Sequence, residues 1–136
     1  MNKSASRELA FKFLYSQEIV KDYGNEQFEL FCETNEIDNE KTKEYIQSIL
    51  KEINNHKEEI DELIKSNLKT GWDINRISKV NITLLKLAIC EMLYSNLPYK
   101  IVINEVVELA KSYGDDSSPS FINGVLASIV KQNNIG

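Results

Sequence analysis

KIVINEVVELAKSYGDDSSPSFINGVL, residues 100–126, reads as two helices divided by a polar turn. Val102, Val106, Leu109, Ala110 and Tyr113 recur at i, i+4, i+7, i+8 and i+11, which is one apolar stripe of a helix. Gly114 supplies the stop. Ser118 followed by Pro119 restarts a helix as an N-cap with proline at the first helical position. Phe121, Ile122, Val125, Leu126, Ile129 and Val130 then form its buried face.

Upstream, the same period predicts five more helices. The first runs from about Ser4 to Lys21 and buries Leu9, Ala10, Phe13 and Leu14. Gly24 and Asn25 separate it from a short helix bearing Phe28, Leu30 and Phe31. Asp38 reads as the cap of a third, striped by Tyr45, Ile46, Ile49, Leu50 and Ile53. Near His56 the chain turns into a fourth, with Ile60, Leu63, Ile64 and Leu68. Thr70 and Gly71 interrupt the pattern; Trp72, Ile74 and Ile77 form an irregular connector, with Trp72 expected as a core plug. VNITLLKLAICEML, residues 80–93, is apolar on nearly all sides, so this helix belongs at the centre of its bundle. Pro98 ends the linker before helix six. The expected fold is all-α, a single domain over residues 1–136: a seven-helix bundle of two packed helical subdomains, about 1–70 and 71–136.

With 136 residues, 42% hydrophobic and 27% charged, the chain fits one globular domain. No apolar run approaches the ~20 residues needed to cross a bilayer, and MNKSASRELAF lacks a secretory apolar core, so a cytoplasmic protein with no membrane partner is expected. Cys32 and Cys90 have no CxxC or Cys/His companion and read as free buried thiols. Residues 25–68 hold twelve acids against five lysines, whereas the flanking segments each carry a net +1. An acidic middle repels phosphate, which confines any nucleic-acid contact to the two ends of the chain and points to a partner protein sharing the task.

Catalytic chemistry is sparse. Glu105 and Glu108 stand three apart on one helix and could pair as acid and base or ligate a metal, but no third ligand or nucleophile accompanies them, so they read as a solvated face. Asp115 and Asp116 read as turn residues that place negative charge ahead of helix seven. His56, the only histidine, has no nucleophile to serve and reads as a surface or capping residue. There is no Gly-rich phosphate loop, GxSxG or zinc spacing. Neither enzyme activity nor a metal or cofactor is expected. Lys3 and Arg7 are one helical turn apart and could reach phosphates together, with Tyr15 two turns further on the same side. Cations beside an aromatic ring suit single-stranded RNA. Taken alone, Tyr15 reads first as a core residue.

The strings SRELAFKFLYSQE, WDINRI, LLKLAICEML before Pro98, NEVVELAK and FINGVL, in that order, closely resemble the NusB family of bacterial transcription antitermination factors. The resemblance covers nearly the whole chain. It implies an all-helical protein that recognises the boxA element of nascent ribosomal RNA leaders as a heterodimer with NusE, which also serves in the small ribosomal subunit. With other Nus factors, that complex keeps RNA polymerase elongating. It implies an RNA surface built from the basic N-terminus and the turn before the last helix, here Lys3, Arg7, Tyr15, Tyr113, Ser117, Ser120 and Phe121. It further implies that Asn104 and Asn123 tie helices six and seven together. Gly124, by itself, reads as permitting close approach of another helix. The family often starts with consecutive arginines; here only Lys3 and Arg7 remain, so fewer phosphate contacts are expected. Two other readings stay open. One is the RNA-binding helical domain of a ribosomal RNA methyltransferase-like assembly, and the other is a protein-interaction module that forms homodimers. Family members occur as monomers and as dimers.

Overall fold

The computed structural model describes residues 2–21 and 25–133; Gly24, expected between the first two helices, lies outside them. Among the described residues, seven α-helices follow in order: α1 (Lys3–Val20), α2 (Asn25–Thr34), α3 (Glu40–Asn55), α4 (Lys57–Ser66), α5 (Lys79–Ile89), α6 (Tyr99–Tyr113) and α7 (Ser118–Gln132). A 3-10 turn at Ile74–Arg76 precedes α5, and a π-helical turn at Cys90–Tyr94 extends it. No strand occurs among the described residues, so the fold is all-α.

Local chemistry sets the boundaries. The Asn2 side chain caps α1 by accepting the Ala5 N–H at 2.8 Å. Lys21 ends that helix in the left-handed region at φ 62°, its N–H donating to the Gln17 carbonyl. Asn39 rather than Asp38 caps α3, accepting from the Thr42 N–H at 3.2 Å; the cap belongs to the residue abutting the first helical turn. Ser78 caps α5 through the Asn81 N–H.

Around α5 the bundle closes. It packs against α1, α3, α4, α6 and α7, and Leu84, Leu85, Leu87, Ala88 and Ile89 are all 0% exposed. Its all-round apolar sequence is the cause, since a helix without a polar face gains by being surrounded. The π-helical turn continues this buried segment, with Cys90 and Glu91 both fully buried. Burial pushes the Cys90 thiol up to about 12, so it sits in the core as a neutral packing group. Phe28 and Phe31 of α2 pack on Phe13, with ring centroids 5.5 and 5.0 Å apart, while Leu30 points outward.

Three expectations fail. Trp72 is no core plug: it is 56% exposed. Gly71 takes φ +89°, the connector stays on the surface as a 3-10 turn, and Ile74 and Ile77 turn inward instead. Asn104 and Asn123 lie exposed on the outer faces of α6 and α7, so they form no buried amide link between the helices. Gly124 is also exposed, and a methyl group built there would meet nothing within 4 Å, so no helix approaches closely.

The helix stop at Gly114 rests on space. Its backbone is extended, but a Cβ would collide with the Ser118 side chain and lie 2.9 Å from the Ala110 carbonyl. The two glycines should therefore respond with opposite signs. Gly124→Ala should stabilise the fold by about 0.5–1 kcal/mol through helix propensity. Gly114→Ala should destabilise it by about 1–3 kcal/mol by overpacking. Urea unfolding of the two variants checks both; equal shifts would refute the tight α6–α7 corner.

Candidate nucleic-acid interface

Arg7 is where the sequence reading needs its main correction. It was expected to reach phosphate beside Lys3, but its side chain is 2% exposed. Its Nε donates to Glu91 Oε1 at 2.6 Å and its Nη2 to Oε2 at 2.9 Å, a bidentate pair with a carboxylate that is 0% exposed. Nη1 lies 3.5 Å from Glu105. Burial opposes the guanidinium charge, but Glu91 outweighs it and holds Arg7 more firmly protonated than usual. Arg7 therefore fastens α1 to the turn after α5 and is not available to a nucleic acid. One signal for this was legible: Glu91 is the lone acid in an apolar run, and a buried carboxylate demands a cation.

Lys3 stays at the surface. Its Nζ sits 3.8 Å from the centre of the Tyr45 ring on α3, a cation–π seat that fixes the ammonium while leaving it exposed. Ser4 beside it donates to the Glu105 carboxylate. Glu105 thus belongs to the α1–α6 junction, whereas Glu108 points outward and pairs with Lys111 at 2.9 Å. The two carboxylates form no catalytic pair, and no cluster fit to hold a metal occurs among the described residues.

Further along α1, Tyr15 and Tyr113 are joined through a residue that sequence spacing did not single out. Phe11, 1% exposed, lies 5.8 Å from Tyr15 in a stacked arrangement and 5.0 Å from Tyr113 in a tilted one. The Tyr113 hydroxyl donates to the Glu8 carboxylate. Burial, and then Glu8, push that hydroxyl up to about 12, so it remains a donor. The start of the chain and the end of α6 therefore share one surface, with both tyrosines half-buried.

The turn into α7 adds the remaining residues. Asp115 Oδ1 accepts from the Ser117 hydroxyl at 2.7 Å, the Ser117 N–H at 2.9 Å and the Ser118 N–H at 3.1 Å. Those bonds, led by the Ser117 hydroxyl, hold its carboxyl below the usual range. Ser118 is thus the first residue of α7 and not its cap: Ser117 holds the N-cap position without a side-chain capping bond, Asp115 takes up the leading N–H groups, and the Ser118 hydroxyl accepts from the Asp115 N–H. Ser117 and Ser120 are exposed. Phe121 is half-buried beneath Trp72, ring centroids 5.5 Å apart and planes 21° from parallel. His56 lies elsewhere, at the α3–α4 junction, between Glu52 at 3.3 Å and Glu59 at 3.0 Å and stacked on Tyr94. This is the surface role expected of it.

A family model described as NusB matches residues 4–131. The chain belongs to the NusB family. The relatives that it matches are named transcription antitermination proteins, and that is the function of this chain. The transcription antitermination protein NusB of Acetivibrio thermocellus is 45% identical over 132 residues, covering 96% of this chain and 90% of that protein. The fold is similar to a solved structure of T. maritima NusB, with TM-score 0.86 and 31% identity over 97% of this chain and 92% of that one. It is similar also to NusB solved with NusE and double-stranded RNA, with TM-score 0.86 and 29% identity over 96% of each chain. The NusB fold in this chain contains no helix long and apolar enough to cross a membrane among the described residues.

Proposed function

We propose that this chain binds boxA-type single-stranded RNA in ribosomal operon transcripts as a heterodimer with NusE. Within a cytoplasmic complex that includes other Nus factors, it helps RNA polymerase elongate through those operons. The observation that carries this reading is the Tyr15–Phe11–Tyr113 junction with its Glu8 hydrogen bond, which joins the leading helix to the hinge before α7 on one face. Lys3 supplies a phosphate contact, Tyr15 and Tyr113 supply ring surface for unpaired bases, and Phe121 supports the surface from beneath Trp72. Ser117 and Ser120 supply hydroxyls. The role is recognition and assembly, without a chemical step of its own. With Arg7 committed to Glu91, Lys3 is the one cation left from the expected pair, so affinity must come largely from a complex.

NusE should raise boxA RNA affinity by about 5–150-fold, the range of a coupling free energy of ~1–3 kcal/mol. Anisotropy of labelled RNA, titrated with this chain in the presence and absence of NusE, measures it. Equal weak binding in the two titrations would refute the reading.

A further inference from the structure

Trp72 is left unused by everything above, and its placement is unusual. A tryptophan is among the costliest side chains to leave in water, yet this one is 56% exposed on a short connector. One face is occupied by Phe121, which lies nearly parallel beneath it at 5.5 Å. We propose that the Trp72–Phe121 stack is a platform for an unpaired nucleobase, which lies on the outer face of the indole and continues the RNA path beyond the turn into α7. This deepens, and rests on, the RNA-binding reading.

The surroundings favour a base over a protein surface. The core of a protein interface needs a contiguous apolar area. Among the described residues, the other large exposed apolar side chains, Ile19, Val20, Leu30 and Ile101, belong to α1, α2 and the start of α6, and none to the connector itself. Trp72 has instead Lys69, Thr70, Asn75 and Arg76 on its own connector and Ser117 and Ser120 near Phe121 on α7, all exposed. The one acid between Lys69 and Lys79, Asp73, has its carboxylate turned onto the Asn75 N–H at 2.9 Å. Residues 69–79 carry Lys69, Arg76 and Lys79 against that single acid; Lys79 is turned onto the Glu18 carbonyl at 3.3 Å, which leaves Lys69 and Arg76 as the cations able to follow a phosphate backbone. A flat aromatic face within a cationic, polar strip matches the demands of a stacked base and its phosphate. Phe121 fixes the indole plane in advance, so little side-chain freedom is lost when the base arrives.

Trp72 is the only tryptophan in the chain, so its emission reports this position alone. The native chain is titrated with a fluorescein-labelled boxA-type RNA, following RNA anisotropy and, in a parallel unlabelled titration, tryptophan emission. The expected result is quenching that saturates at the same midpoint as the anisotropy. Trp72→Leu should weaken RNA binding by about 5–150-fold, the span for one base stacked on an aromatic ring, and Trp72→Tyr should retain most of the affinity. RNA that binds without changing the emission, or that binds Trp72→Leu as it binds the native chain, overturns the platform and leaves the RNA reading intact. Emission that responds to NusE but not to RNA makes the patch a protein contact and also overturns it. No RNA binding in either the presence or absence of NusE removes both readings. The quenching experiment needs no variant, so a failure of Trp72→Leu to fold does not shield the proposal.

Discussion

Arg7→Ala and Glu91→Ala should each lower the folding free energy by about 3–5 kcal/mol, a large part of the ~5–15 kcal/mol that holds a domain together. Both charges sit in the dry interior, at 2% and 0% exposure. Removing the guanidinium leaves a carboxylate with neither water nor a cation; removing the carboxylate leaves a guanidinium whose nearest remaining anion, on Glu105, is 3.5 Å away. The cost is that of a stranded charge, not the net worth of the pair. The double replacement Arg7→Met with Glu91→Leu should therefore recover most or all of the loss. Urea unfolding of the native chain, Arg7→Met, Glu91→Leu and the double variant closes the cycle, and a double variant as unstable as the sum of those two singles would refute the buried pair. The same set decides whether Arg7 touches RNA. The double variant, folded and without the guanidinium, should bind RNA as the native chain does. A large drop in its affinity would put Arg7 back on the binding surface.

Arg7 shows where sequence reading stops. Its spacing from Lys3 is a fact of one helix and was legible; what faces it across the bundle is a fact of tertiary packing. The stretch from Lys100 to Val130 could be read because helical period, a glycine stop and a proline restart are all local signals. The central place of α5 was equally clear from its missing polar face. Trp72 was misjudged because size and hydrophobicity argue for burial by default, whereas the turn at Gly71 and the following 3-10 turn keep the connector on the surface. The roles of Asn104 and Asn123 rest on resemblance and that of Gly124 on its missing side chain, and the packing of α6 and α7 places all three on the outside. Phe11 escaped notice since nothing in its own helix shows that Tyr113 will lie against it. The candidate surface was thus legible as two segments, and the aromatic link between them was not.

Leu84→Ala, Leu85→Ala and Leu87→Ala should each cost about 2–5 kcal/mol, through lost apolar transfer and an unfilled cavity. On an ideal helix these three side chains point in different directions, with Leu85 about 100° and Leu87 about 60° to either side of Leu84. In an amphipathic helix at least one would be cheap to truncate. Here none should be, because all three are 0% exposed and α5 is packed on every side by α1, α3, α4, α6 and α7. Ile101→Ala, at a site 54% exposed, serves as the control and should stay within about 0.5 kcal/mol. Function follows from the same geometry. α1 carries Lys3 and Tyr15, α6 carries Tyr113, and α7 carries Phe121; all three helices pack against α5. A leucine truncation should leave RNA affinity unchanged per folded molecule while shrinking the folded fraction on heating. Parallel thermal melts followed by helical circular dichroism and by RNA anisotropy should show the two signals falling together. Binding lost well below the unfolding midpoint would mean that the segments of the surface are positioned independently of α5, which the packing excludes.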